Sequence, residues 1–230
     1  IKGIMAQTNS GDQKTIPASF VLFGKKGSGK TFLFDSLVKM LGLKAYDIYS
    51  EDDENSGAQV FKVNLGDVTG TTSGGSSSTL SIQKVLSSFD KFLKTPNGKR
   101  GFILFDDVHL SSVEVRSHIF SKLRSLFEAR GGRYRGVNVR NLTLFLTFNP
   151  IEDRDKIRKF VKYAKPTPIE LALATFSGED HKVDESFFNR WGSVISLDYF
   201  STSAKGSELV HRLSDTAKAQ LSVENNYFSV

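Results

Sequence analysis

Eight residues, Gly24-Lys25-Lys26-Gly27-Ser28-Gly29-Lys30-Thr31, constrain this chain more than any other stretch, because they follow directly on the apolar run Phe20-Val21-Leu22-Phe23. Glycines at this spacing let backbone N–H groups curl around an anion. A closing Gly-Lys-Thr adds a lysine that reaches β- and γ-phosphates and a hydroxyl that ligates Mg²⁺. The pattern predicts a strand ending at Phe23, a phosphate-binding loop, and a helix over residues 31–40 whose positive N-terminal end faces the same anion. The candidate nucleotide contacts are Gly24, Lys25, Lys26, Gly27, Ser28, Gly29, Lys30, Thr31 and Phe32, with Thr31 also a metal ligand. The competing reading is a plain strand–turn–helix that binds nothing.

With 230 residues, 39% of them hydrophobic, the chain suits one large or two modest globular domains. It has no cysteine, which excludes a disulfide framework and thiolate metal sites and fits a reducing compartment. No run of about 18 apolar residues is present, and Ile1-Lys2-Gly3-Ile4 is too short for a signal-peptide core, so an intracellular, cytoplasmic protein without a membrane segment is expected. The first residue is Ile rather than Met, as in a piece excised from a longer chain. A net charge of +6 and a pI near 9.4 invite nucleic acid as a partner. The basic residues are scattered, however, and are densest at Arg130, Arg133, Arg135 and Arg140 and again from Arg154 to Lys165. Either group can be a solvated face or a contact to an acidic partner.

Further segments read as strand, helix or loop from their patterning. Residues 44–49 and 59–64 are short strand candidates, and the glycine, serine and threonine of residues 66–79 make a flexible loop. Residues 80–93 carry Leu80, Ile82, Val85, Leu86, Phe89, Phe92 and Leu93 near a 3.6-residue period, which predicts an amphipathic helix ended by the turn at Thr95-Pro96-Asn97-Gly98. Gly101-Phe102-Ile103-Leu104-Phe105 is apolar without alternation, the pattern of a strand covered on both faces in a parallel sheet. A helix over residues 113–128 and a second buried strand over residues 142–148 follow. This alternation predicts an α/β fold, a three-layer α/β/α sandwich around a parallel central sheet with the glycine loop at its carboxyl edge.

Two acids, Asp106 and Asp107, end the first buried strand, and Asn149 ends the second. Asp106 is placed to hold Mg²⁺ and Asp107 to polarise an attacking water, unless the pair only caps a turn. Asp107 is one methylene shorter than glutamate would be, which predicts slow hydrolysis. Asn149, on a strand expected between the other two motifs, can hydrogen-bond a γ-phosphate or the attacking water; the alternative is an Asn-Pro turn signal. Arg190, after Phe187 and Phe188 and before a late strand, is a candidate to offset transition-state charge on a neighbouring subunit's nucleotide, or else a surface arginine paired to an acid. His109, His118, His181 and His211 lack metal-site spacing and read as structural, although His109 is close enough to the acidic pair to line the cleft.

In this order, the glycine loop, the acidic pair, the strand-ending Asn149 and Arg190 resemble the AAA+ superfamily of P-loop ATPases across residues 18–200. Residues 122–135, Val63-Asn64-Leu65 with the threonine-rich stretch, and Thr95-Pro96-Asn97-Gly98-Lys99-Arg100 are similar to the third AAA+ module of the dynein heavy chain. Viral superfamily 3 helicases share the acidic pair and strand-ending asparagine, and MoxR-type ATPases are a third relative. The resemblance implies ATP and Mg²⁺ as cofactors, ATP hydrolysis coupled to mechanical change, and neighbouring AAA+ subunits or modules in a ring, expected to be hexameric. It divides the chain into a leading segment (1–18), a large ATPase domain (19–200) and a C-terminal helical segment (201–230). That last part has room for about one amphipathic helix, over residues 207–221, so the small lid is expected to be reduced, and Arg212 is not assigned as a second sensor. Residues 151–182 are the expected contact for a protein partner. A helicase acting on single-stranded RNA or DNA, with residues 130–140 as a basic hairpin gripping phosphates, is the alternative role.

Overall fold

The computed structural model describes residues 17–50, 54–70, 80–95, 100–159, 166–176 and 185–197. Most of the leading segment, residues 71–79, the turn after Thr95, His181, His211, Arg212 and the helix expected over residues 207–221 lie outside them.

Five parallel strands make the centre: β1 (Ala18–Phe23), β2 (Val60–Asn64), β5 (Gly101–Asp106), β8 (Leu142–Phe148) and β9 (Ser193–Ser196). They lie side by side in the order β2-β5-β8-β1-β9. The strand ending at Asn149 therefore separates the strand of the glycine loop from the strand of the acidic pair, as expected. Around the sheet are α1 (Lys30–Met40), α2 (Ile82–Phe92), α3 (Val113–Phe127), α4 (Arg154–Arg158), α5 (Pro168–Phe176) and α6 (Glu185–Asn189). Short pairs complete the fold, β3 (Val68–Thr69) with β4 (Leu80–Ser81) and β6 (Arg133–Tyr134) with β7 (Val137–Asn138).

Alternation along the strands sorts the core into two layers. Val21, Phe61, Val63, Ile103, Phe105, Leu144, Leu146 and Phe148 pack with side chains of α2, α3, α5 and α6, whereas Leu22, Val60, Phe102, Leu104 and Phe145 pack with Leu33, Phe34 and Leu37 of α1. This is the α/β/α sandwich predicted from unbroken apolarity. Every residue of β5 and β8 is buried, because helices cover both faces. Serine caps start the two long helices behind the sheet: Ser81 Oγ accepts the Lys84 N–H and Ser112 Oγ accepts the Val115 N–H, each at 3.3 Å.

Three local expectations change. The loop expected over residues 66–79 starts later, because Gly66 and Asp67 finish a 3-10 turn and Val68–Thr69 pair with Leu80–Ser81. Leu80 and Ser81 belong to β4, so the amphipathic helix begins at Ile82. Residues 44–49 form no strand: Ala45 makes a single parallel bridge to Val60, and the chain then turns on Asp47 and Asn55. Asn55 Oδ1 accepts the Asp47 N–H at 2.7 Å and Asn55 Nδ2 donates to the Asp47 carbonyl at 2.8 Å, while the Asp47 carboxylate accepts the Tyr49 N–H and the Ser50 hydroxyl. These short polar side chains satisfy the backbone in place of a ladder. The Tyr49 N–H, followed by the Ser50 hydroxyl, holds the Asp47 pKa below its ordinary value.

The basic stretch is a hairpin. Arg135 (φ 47°) and Gly136 (φ 85°) make its two-residue turn, both left-handed as such tight connections require. Arg135 and Lys122 both pair with Asp90 of α2, at 2.8 and 2.5 Å, which fixes the hairpin to the helical layer.

Phe61 is fully buried against Tyr46, Phe89, Phe92 and Phe105. Phe61→Ala is expected to destabilise the fold by about 3–5 kcal/mol, measured as a lower denaturation midpoint in urea.

Candidate functional site

The carboxyl ends of β1, β5 and β8 bring together the glycine loop, Asp106, Asp107 and Asn149. The loop leaves β1 at Gly24, whose N–H still bonds Phe148 O at 3.3 Å. Gly27 (φ 81°) and Gly29 (φ 88°) then turn the backbone through left-handed conformations, and space where a Cβ would stand is clear for 4 Å at both. Gly29 caps α1 without using a side chain, and no acid occupies the first turn of that helix. The result is an open cradle of N–H groups at a positive helix end, which fits a phosphate.

Lys30 is buried, with its ammonium folded into the loop: it donates to Gly24 O at 2.8 Å, Lys25 O at 3.0 Å and Ser28 Oγ at 3.4 Å. A charge held by neutral carbonyls beside an open cradle is poised to exchange them for an anion. Lys25 and Lys26 are exposed on the loop, and Phe32, 72% exposed, stands at its rim.

Next to the loop, the Thr31 hydroxyl donates to Asp106 Oδ2 at 2.8 Å. The other carboxylate oxygen, Oδ1, accepts from the Thr147 hydroxyl, which in turn accepts the Asp107 N–H at 2.9 Å. Register explains the meeting. Asp106 lies opposite Asn64 on one side, and the Phe105–Leu146 pairing places Thr147 beside it on the other. Sequence patterning alone does not mark Thr147; the signal it carries is a hydroxyl two residues before Asn149 in a mostly apolar strand. Thr31 and Asp106 together make an oxygen pair of the type Mg²⁺ takes alongside phosphate oxygens.

Asp107 adopts a left-handed backbone (φ 49°, ψ 43°), unusual for a residue with a side chain. That turn starts the 3-10 segment Val108–Leu110 and brings His109 back over the site. His109 Nδ1 accepts the Asn149 backbone N–H at 3.3 Å and stands 3.9 Å from Asp107 Oδ1. Burial, with smaller contributions from Lys30 and Arg116, holds the His109 pKa below its ordinary value, while Asp107 and Asp106 pull it upward. Asn149 Oδ1 is buried and has no hydrogen-bond partner among the described residues, an acceptor left unused at the end of β8.

Arg190 is elsewhere. It follows α6 and precedes β9, and the Gly192 N–H bonds Ser19 Oγ at the start of β1, which places this stretch at the amino edge of the sheet. Its guanidinium pairs with Glu128 beyond the end of α3. A six-residue strand rises about 20 Å, so Arg190 is separated from its own glycine loop by the height of the sheet. A cavity of about 560 Å³ beside β2, lined in part by Tyr46, Asp47, Tyr49, Lys62 and Asp67, includes none of the loop residues.

No protein-family model matches the chain. No curated protein matches it either. Among solved structures it is similar to a closed-state cryo-EM reconstruction of Hsp104 with ATPγS and FITC-casein, at 16% identity and a TM-score of 0.41, over 79% of this chain. The chain spans 29% of that structure's chain. A likeness of this size leaves the chemistry to the side chains themselves.

Thr147→Val keeps the shape and removes both hydrogen bonds. It is expected to cost about 1–3 kcal/mol, because the Asp107 N–H and one Asp106 oxygen lose their partner, whereas Thr147→Ser keeps most of the stability; urea denaturation of the two variants checks this.

Proposed function

We propose that the chain is the nucleotide-binding core of an AAA+ ATPase, hydrolysing Mg–ATP and working against neighbouring copies or modules in a hexameric ring. The observation that carries this reading is the 2.8 Å hydrogen bond from Thr31 to Asp106, which joins the glycine loop to the acidic strand across the position where Asn149 ends the strand between them.

Each residue then has a defined task. The N–H groups of Gly27 and Gly29 and the Lys30 ammonium bind the β- and γ-phosphates, with Lys25, Lys26 and Phe32 at the rim of the nucleotide, while the Ser28 N–H closes the loop on Lys25 O at 3.1 Å. Thr31 and Asp106 would hold Mg²⁺, which when bound neutralises charge on the phosphate oxygens. Asp107 orients the attacking water and takes its proton. The Asn149 amide spans the γ-phosphate and that water, its Oδ1 accepting from the water. The carboxylate of Asp107 is shorter than glutamate and stands further from the water, so turnover is slow. Arg190 completes the site of another copy. Residues 151–182 offer the contact to a protein partner; of these, α5 buries Ala172 and Phe176 in the core, and the Thr175 hydroxyl accepts the Ile151 N–H.

One observation favours a second reading, a motor on single-stranded nucleic acid. The β6–β7 hairpin and the turns beside it expose Arg130, Arg133, Arg135 and Arg140. Binding to an oligonucleotide that weakens steeply with salt, and stimulation of turnover by it, would move this reading ahead.

Steady-state ATP hydrolysis against protein concentration tests the first. Lys30→Ala and Asp107→Asn are expected to abolish turnover, with Asp107→Asn keeping nucleotide affinity. Arg190→Ala is expected to lower kcat about 10³-fold or more. Mixing the inactive Lys30→Ala and Arg190→Ala proteins in equal amounts should restore about a quarter of the activity, the fraction of junctions that pair an intact loop with an intact arginine. Wild-type turnover that is independent of concentration, with no recovery on mixing, counts against a shared site.

A further inference from the structure

We infer that His109 is a positioning residue, whose imidazole is held by the backbone of Asn149 beside the Asp107 carboxylate and so ties the orientation of the proposed base to the strand end that contacts the γ-phosphate. The inference rests on the ATPase reading above and adds to it a residue that the loop, acid pair and strand-end asparagine do not include.

Among the described residues, Nδ1 of His109 has two neighbours, Asn149 and Asp107. Nδ1 accepts the Asn149 N–H at 3.3 Å, so the neutral ring carries its proton on Nε2. Nδ1 therefore has no proton to offer Asp107, and at 3.9 Å it makes no hydrogen bond to that carboxylate. The ring acts on Asp107 by occupying the space beside it. Its side chain is 15% exposed against 32% for Asp107, so the imidazole forms an inner wall and the carboxylate faces the cleft. The backbone reinforces this arrangement. The left-handed Asp107 and the Leu110 N–H to Asp107 O bond at 2.9 Å close the turn that carries His109, and Thr147 fixes the Asp107 N–H. A displacement of Asn149 on contact with the γ-phosphate moves the ring, and the ring moves the wall against which the base rests.

Protonation breaks the arrangement. Burial opposes the charged ring most; the charges that act on it are Asp107 and Asp106, which favour it, and Lys30 and Arg116, which oppose it. A proton on Nδ1 would release the Asn149 N–H and point at Asp107 Oδ1, engaging the base.

Three substitutions and one titration test this. His109→Asn places an acceptor near the position of Nδ1, while His109→Leu and His109→Ala do not. The Leu and Ala variants are expected to lose about 10- to 100-fold in kcat with nucleotide affinity unchanged, and the Asn variant to recover much of the loss. Unchanged kcat in His109→Ala, equal losses in the Asn and Leu variants, or a loss that follows nucleotide affinity would each overturn the inference. The imidazole signals of nucleotide-free protein give a second readout that needs no turnover and no folded His109 variant. In wild type, ¹⁵N shifts should report an unprotonated Nδ1 at neutral pH. Asp107→Asn should lower the His109 pKa further, since it removes a negative neighbour. A His109 pKa that ignores Asp107→Asn means the ring does not face the base. If wild type hydrolyses no more ATP than Lys30→Ala, the proposed function fails, and the titration alone then decides whether His109 stands between Asp107 and Asn149.

Discussion

Everything at the carboxyl edge depends on how a carboxylate is kept at the end of a strand that is buried on both faces. Asp106 is 5% exposed, and a charge so placed is costly unless hydrogen bonds replace its water. Two hydroxyls supply them, Thr31 from the start of α1 and Thr147 from β8. Thr147 also binds the Asp107 N–H, so one buried oxygen settles the Asp106 carboxylate and the direction in which the chain leaves β5. That exit is left-handed, and it decides where Asp107 and His109 stand. The strand order is thus a condition of the chemistry: β8 must lie beside β5 for Thr147 to reach Asp106, and β1 must lie beside β8 for Thr31 to do so.

Much of this was legible from residue patterns. Apolar runs without alternation marked β5 and β8 as strands covered on both faces, and the acids and the asparagine at their ends marked the edge at which they gather with the glycine loop. Periodicity placed α2, whose start shifts from Leu80 to Ile82 because Ser81 is its cap, and α3 starts at Val113 as expected, directly behind the Ser112 cap. The loop was readable because glycine is favoured wherever a backbone turns left-handed, as at Gly27 and Gly29.

Other features escaped for physical reasons. The strand expected over residues 44–49 yields to Asp47 and Asn55, whose side chains bond the backbone locally. Propensity along the chain does not register a pairing between residues eight apart. Thr147 looked like one polar residue in a strand, because its role comes from registry with β5, which no single segment encodes. His109 read as structural since it has no metal-site spacing. Its neighbours are set by a left-handed turn at Asp107 that no glycine announced.

The two edges of the sheet carry opposite halves of the proposed chemistry. Lys30, Thr31, Asp106, Asp107 and Asn149 gather at the carboxyl edge, while Arg190 is held at the amino edge by Glu128 and by the Gly192 bond to Ser19. A parallel sheet cannot fold one edge onto the other, so in the proposed function Arg190 would serve the loop of a different molecule or module. Such a contact joins unlike surfaces, and a repeated contact between unlike surfaces closes into a ring or runs on as a filament. The Arg190–Glu128 pair is partly exposed, and an ion pair of that kind is weak in water. A triphosphate in a water-poor junction offers the guanidinium a stronger, bidentate partner. On this view the arginine rests on Glu128 until a neighbour arrives, and the change of partner is itself a way for one site to register the occupancy of the next.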